Sequence, residues 1–202
     1  MMKHDARFSE AVASAVTAIE RTTDAELVVV AASRSGTYAD VSARAAGLVA
    51  LAAGVALIVS PWHVEIVWWA VDVLFVGWIS ERALRRPGAV KLLTREARRH
   101  AQVRAAAERE FVREAVHGTP NRSGVLIYVS ALEGRVELIP DLGVDGMVPQ
   151  AELAAVHEKM NASSTEGFVA GLHALGEVLA KRVPSRPDSD AFDLPNEPRV
   201  LA

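Results

Sequence analysis

Apolar and polar positions along this chain follow two different rules. Residues 6–21 place Phe8, Val12, Val16 and Ile19 three or four apart, the period of a helix that buries one stripe. Residues 25–32 hold the unbroken run Leu27, Val28, Val29 and Val30, which reads as a strand covered on both faces. Residues 45–62 and 64–80 instead form two long apolar stretches separated by little more than His63. Periodicity then returns. Residues 91–117 run without Gly or Pro and predict one long helix, stopped by Gly118 and Pro120. Residues 124–130 and 135–141 predict two strands joined by a tight turn at Leu132, Glu133 and Gly134. Helices follow over 150–160 and 166–182, the second burying Phe168, Leu172, Leu175 and Leu179.

The two apolar stretches predict a membrane hairpin inserted into a globular domain. The first has no charge over 18 residues. At about 1.5 Å per residue that is about 27 Å of helix, close to the roughly 30 Å hydrocarbon core of a bilayer. Ala46, Ala50 and Gly54 repeat every four residues, which lets a second helix approach closely. The second stretch contains Glu65 and, near its middle, Asp72, while Trp62 and Trp78 fall at the expected interfaces. The alternative is a pair of short buried helices in a soluble core. Charge favours the membrane: Arg34 and Arg44 precede the hairpin, Arg82, Arg85, Arg86, Lys91, Arg95, Arg98 and Arg99 follow it, and its loop has no Lys or Arg. The positive-inside rule then puts both termini in the cytoplasm and residues 61–64 outside.

The division that follows is residues 1–44 as the first part of an α/β domain, 45–80 as the hairpin, 81–182 as the remainder, and 183–202 as an acidic, Pro-rich tail. That tail, with Asp188, Asp190 and Asp193 among Pro184, Pro187, Pro195 and Pro198, predicts an extended segment that builds no core. One strand before the hairpin and two after it make a sheet assembled from both ends of the chain on one membrane face. No secretory signal is expected from residues 1–10, so the first apolar helix does the targeting.

A net charge of −3 gives no electrostatic case for nucleic acid. The lipid bilayer is the expected partner, with another membrane or cytoplasmic protein as the second. The absence of cysteine excludes disulfides, thiol catalysis and thiolate metal sites, so any metal would take oxygen or imidazole ligands. Residues 141–152 supply the best candidate. Counted from Asp141, acids fall at positions 1, 5 (Asp145) and 12 (Glu152), with Gly146 at 6 and an apolar residue at 8, as in a twelve-residue calcium loop. Gly143 stands where a third ligand is usual, and a strand precedes the segment, so it is no EF-hand. The competing reading is a strand-to-helix turn in which Asp145 or Glu152 caps the helix start.

Asp72 is a second candidate, because an ionisable group deep in a bilayer is costly and marks function by default. A neutral Asp72 hydrogen-bonded inside the helix pair, or one seated at shallower depth, is the plainer explanation. His100, His117, His157 and His173 lack metal-ligand spacing and read as surface or packing residues. The basic run 95–109 interleaves Glu96 and Glu108, which predicts a solvated helix with internal ion pairs.

Several local strings, in order, resemble the TPM domain family, particularly its bacterial membrane-anchored members. They are Ile19-Glu20-Arg21-Thr22-Thr23-Asp24-Ala25-Glu26-Leu27-Val28-Val29-Val30; Glu110-Phe111 with Thr119; Ser123-Gly124-Val125-Leu126-Ile127-Tyr128-Val129-Ser130; and Val136-Glu137-Leu138-Ile139 with Asp141-Leu142-Gly143. The resemblance implies an α/β fold with helices on both faces of a small sheet. Some similar proteins bind calcium, and a phosphatase activity has been proposed for some. Members often lie outside the cytoplasm behind a signal peptide; this chain departs by its inserted hairpin. The expectation is a membrane-anchored, non-catalytic module on the cytoplasmic face that binds a protein, a cation such as Ca2+ or Mg2+, or both. The alternative is a metal-dependent phosphatase, which would have to work without a recognisable nucleophile motif.

Overall fold

The computed structural model describes residues 5–60, 66–160, 162–185 and 195–201. They divide into two compact units, Met1–Ser35 with His100–Ala202, and Gly36–Arg99. The first is a mixed α/β unit. Strands β1 (Glu26–Ala32), β2 (Gly124–Ser130), β3 (Arg135–Pro140) and β4 (Arg199–Leu201) form a sheet in the order β3-β2-β1-β4. β1 runs parallel to β2, with Val28 opposite Leu126 and Val30 opposite Tyr128, and parallel to β4. β3 pairs antiparallel to β2 through the predicted turn, where Gly134 takes the left-handed φ of 66° that closes it.

Both faces of the sheet are covered, which is why β1 and β2 read as continuous apolar runs. On one face Leu27, Val29, Val125 and Ile127 pack with Phe8, Val12 and Val16 of α1 (Ala6–Glu20) and Phe168, Leu172 and Leu175 of α8 (Thr165–Arg182). On the other, Val28, Val30, Leu126 and Tyr128 meet Val103, Ala106 and Ala107.

Three sequence expectations are corrected in detail. The helix expected over 91–117 is two helices, α4 (Pro87–Leu93) and α5 (Glu96–Arg113), because Thr94 turns extended. α5 also ends short of Gly118, where Ala115 is left-handed at φ 52°. The tail is not wholly outside the fold: Val183 is buried, Thr23 donates its hydroxyl to the Val183 carbonyl, and 199–201 add β4, whose Arg199 pairs with Glu114. Asp188, Asp190 and Asp193 lie outside the described residues.

The unit Gly36–Arg99 is helical. α2 (Ala39–Val59) starts six residues before the apolar stretch and takes in Asp40 and Arg44, since helix propagation does not require apolar side chains. α3 (Ile66–Leu84) packs against it. A Cβ built on Gly54 would sit 3.6 Å from Val73, and one on Gly77 3.4 Å from Ala50, a pairing that fixes the two helices as antiparallel. Among the described residues α2 is long and apolar enough to cross a membrane by length and composition; α3 carries Asp72, Glu81 and Arg82 within its 19 residues. The 61–64 loop, with Trp62, and Glu65 lie outside the described residues.

Candidate functional site

The segment 141–152 is two helices, α6 (Leu142–Met147) and α7 (Gln150–Lys159), broken at Val148 and Pro149. Asp141, and neither Asp145 nor Glu152, caps α6, accepting from the Leu142 N–H at 2.8 Å. Its carboxylate, only 3% exposed, also receives Arg122 Nε at 2.6 Å and Nη2 at 2.8 Å. These two guanidinium bonds, with the Leu142 N–H behind them, hold the carboxyl below the usual range. Asp145 accepts from Gln150 at 3.1 Å, and Glu152 is taken by Arg182 of α8.

The three acids singled out in the sequence therefore do not converge. Each is engaged by a different side chain, and two are neutralised by arginine, a donor set that does not fit a hard cation needing several oxygens at one centre. Among the described residues no group of three or more His, Asp or Glu side chains could hold a metal ion.

Sequence reasoning missed Arg122. It sits at φ 55° beside Asn121 at φ 61°, two successive left-handed residues without a glycine. A Cβ on Gly143 would stand 2.7 Å from the Arg122 carbonyl, so glycine there admits the close approach of α6. No periodicity could announce a partner 19 positions away. Also missed was a buried polar group at the ends of β1 and β2. Glu133 accepts from the Ser35 N–H at 3.1 Å and from the Ser130 hydroxyl, while the Tyr128 and Ser35 hydroxyls lie 3.1 Å apart. Burial pushes the Tyr128 phenol up, partly opposed by Ser35. The group fastens the point where the chain leaves β1.

A cleft of this unit lies along the edge strand β3. It has a volume of about 430 Å³ and is lined by Leu138 and Ile139, with Arg104, Asp145, Gln150 and His157 contributing polar groups. His157 Nε2 is 2.7 Å from the Val136 carbonyl, and the Asp141 N–H donates to the Gly124 carbonyl at 2.8 Å. Alternation along an antiparallel strand then turns the Leu138 backbone groups toward the open edge. Behind the edge, buried Glu137 faces His100 at 3.4 Å and Arg104 at 3.8 Å. His100 and His157 are thus polar partners of β3, and the His117 ring lies tilted beside Phe111, centroids 6.3 Å apart. The basic run behaves as expected of a solvated helix, with Arg104 bonded to Glu108 at 2.8 Å.

Asp72 is exposed on α3, not turned into the helix pair as one sequence reading had it.

No family model matches the chain, and no curated relative matches it. Its fold is similar to that of the BA42 protein from the psychrophilic bacterium Bizionia argentinensis, solved by NMR. The two are 17% identical, with a TM-score of 0.56 over 97% of this chain and 94% of that one. At this identity the likeness is one of fold alone.

Proposed function

We propose that the protein is a membrane-anchored module of the TPM domain kind, whose α2–α3 hairpin crosses the bilayer twice, leaving both termini and the α/β unit in the cytoplasm. The observation that carries this reading is where the apolar side chains of the hairpin point. Leu48 and Ile58 of α2 are each 68% exposed and Leu74 of α3 is 74% exposed, while glycines on both helices, Gly54 and Gly77, face Val73 and Ala50 across the contact. Only 11% of the apolar stretch of α2 is buried. Helices in a soluble core bury such residues; helices facing lipid turn them outward and pack through glycine and alanine. Asp72 is then an exposed acid in the second span, a costly placement that a shallower seat relieves.

The α/β unit acts as a non-catalytic binding module. The β3 cleft supports this, since it offers outward backbone groups and both signs of charge to an extended segment of a partner protein. Ca2+ or Mg2+ is the weaker half of the reading, because Asp141, Asp145 and Glu152 do not meet. The rival phosphatase would need the same carboxylates on one metal, and their separate pairing does not support it.

Alkaline carbonate extraction of membranes holding the full-length protein tests the anchor: it is expected to stay in the pellet, and release into the supernatant would contradict the reading. Calorimetric titration of the detergent-purified protein with calcium is expected to be flat. A binding isotherm abolished by Asp145→Ala would restore the cation to the first place.

A further inference from the structure

We propose that the helical unit holds the phosphate of an anionic phospholipid in a cleft where α2 meets the segment joining α4 to α5. The proposal rests on the reading of α2 as a membrane span and names a ligand for that anchor.

The cleft has a volume of about 400 Å³, and its polar lining is Arg44, Thr94, Arg95 and Arg98. Three guanidinium groups line it, and although Asp40 beside it neutralises Arg98 and faces Arg44, the lining stays net positive, which suits an anion. Arg98 is already committed: its Nη1 and Nη2 each donate to Asp40 at 2.9 Å, and its guanidinium lies 5.9 Å from the centre of the Tyr38 ring. That clamp ties the start of α5 to the start of α2 and fixes the cleft's shape. Arg44 and Arg95 are exposed and form no ion pair among the described residues.

Thr94 is a second and independent observation. Its side chain is buried, yet its hydroxyl has no hydrogen-bond partner, a costly state for a group that both donates and accepts. A phosphate oxygen drawn in by Arg44 and Arg95 would accept a hydrogen bond from that hydroxyl. The break between α4 and α5, where Thr94 turns extended, is what brings the threonine to this wall.

The remaining lining tells a phospholipid from a free phosphate. Leu48 and Leu93 form an apolar wall, and Leu48 continues into the outward apolar surface of α2 through Leu51 and Val55. A ligand that fits is charged at one end and oily along the rest. Arg44 also sits next to the uncharged stretch beginning at residue 45, the level at which a lipid phosphate would lie.

The test uses the full-length protein in nanodiscs of phosphatidylcholine, alone or with phosphatidylglycerol, scored by native mass spectrometry for retained lipid and by thermal unfolding. Phosphatidylglycerol is expected to be retained selectively and to raise the midpoint. The Arg44→Ala/Arg95→Ala double variant is expected to lose roughly tenfold or more of that selectivity. Thr94→Val should lose part of it, and the Arg85→Ala/Arg86→Ala double variant, which removes the same charge outside the cleft, should keep it. Equal losses in both double variants would reduce the effect to general attraction and overturn the proposal, as would undiminished retention by the first. Glycerol phosphate at millimolar concentration should not compete; full competition would mean a free phosphate site and overturn the lipid assignment. A protein that never enters nanodiscs would sink the anchor itself, whereas one that inserts without selectivity sinks only this site.

Discussion

The two units use the same apolar residues in opposite senses. In the sheet unit Leu, Val and Ile of β1 and β2 are buried on both faces of the sheet, and Leu172, Phe168 and Phe8 of the covering helices are fully buried. In the helical unit Leu48, Leu51, Leu74 and Phe75 point outward, and the helices approach where Gly54 faces Val73 and Gly77 faces Ala50. Composition barely separates these patterns, but direction does. Water drives the first arrangement by expelling apolar surface. On the proposed reading, the second is stabilised by surroundings as apolar as the side chains.

Truncation should expose the contrast most strongly. Leu172→Ala removes a fully buried side chain and is expected to cost about 2–5 kcal/mol of unfolding free energy, measured by denaturant titration in lipid or mild detergent. Leu51→Ala, the same chemical change on an outward position, should cost well under that. Equal costs would mean that α2 is a core helix.

Charge placed on the outward face comes next. Leu51→Arg is expected to penalise insertion by about 2.5–3.5 kcal/mol at mid-span, read as the inserted fraction in a translocation assay. Asp72→Leu should shift the inserted fraction of α3 the other way. No change with Asp72→Leu would mean that this acid already lies outside the hydrocarbon.

The buried pair of the sheet unit gives a smaller and pH-dependent effect. Asp141→Asn weakens the Arg122 bonds and the α6 cap and is expected to cost about 1–3 kcal/mol near neutral pH. The Asp141 carboxyl titrates lower in the folded state than in the unfolded chain, because Arg122 holds its charged form. Its contribution is therefore complete above the unfolded value and is lost as pH falls through the folded one. The gap between the native protein and Asp141→Asn should close on acidification below about pH 4. A gap that stays constant from pH 7 to 3 would contradict the pairing. The smallest effect belongs to Gly54→Ala, whose new methyl meets Val73 at an ordinary 3.6 Å, so the helix pair should tolerate it. Gly54→Leu should not be tolerated.

Elements whose cause is local were legible in the residues. The β2 strand, the Glu133-Gly134 turn and the stripe of α8 fell where periodicity and turn chemistry put them. Two of the departures share a cause, which is dependence on distant partners. β4 exists because β1 offers an edge to Val200, and three residues cannot signal that alone. Thr94 breaks the expected long helix in a run with no Gly or Pro. The acids at 141, 145 and 152 had the spacing of a ligand loop, but Arg122 and Arg182, far along the chain, claim two of them.

The central claim is that residues 45–80 leave the cytoplasm and return. The chain has no cysteine, so single substitutions give an unambiguous label. His63→Cys should react with a membrane-impermeant maleimide on intact spheroplasts, and Ser185→Cys only after permeabilisation. Labelling of Ser185→Cys on intact spheroplasts, or of His63→Cys only from the cytoplasmic side, would contradict the account.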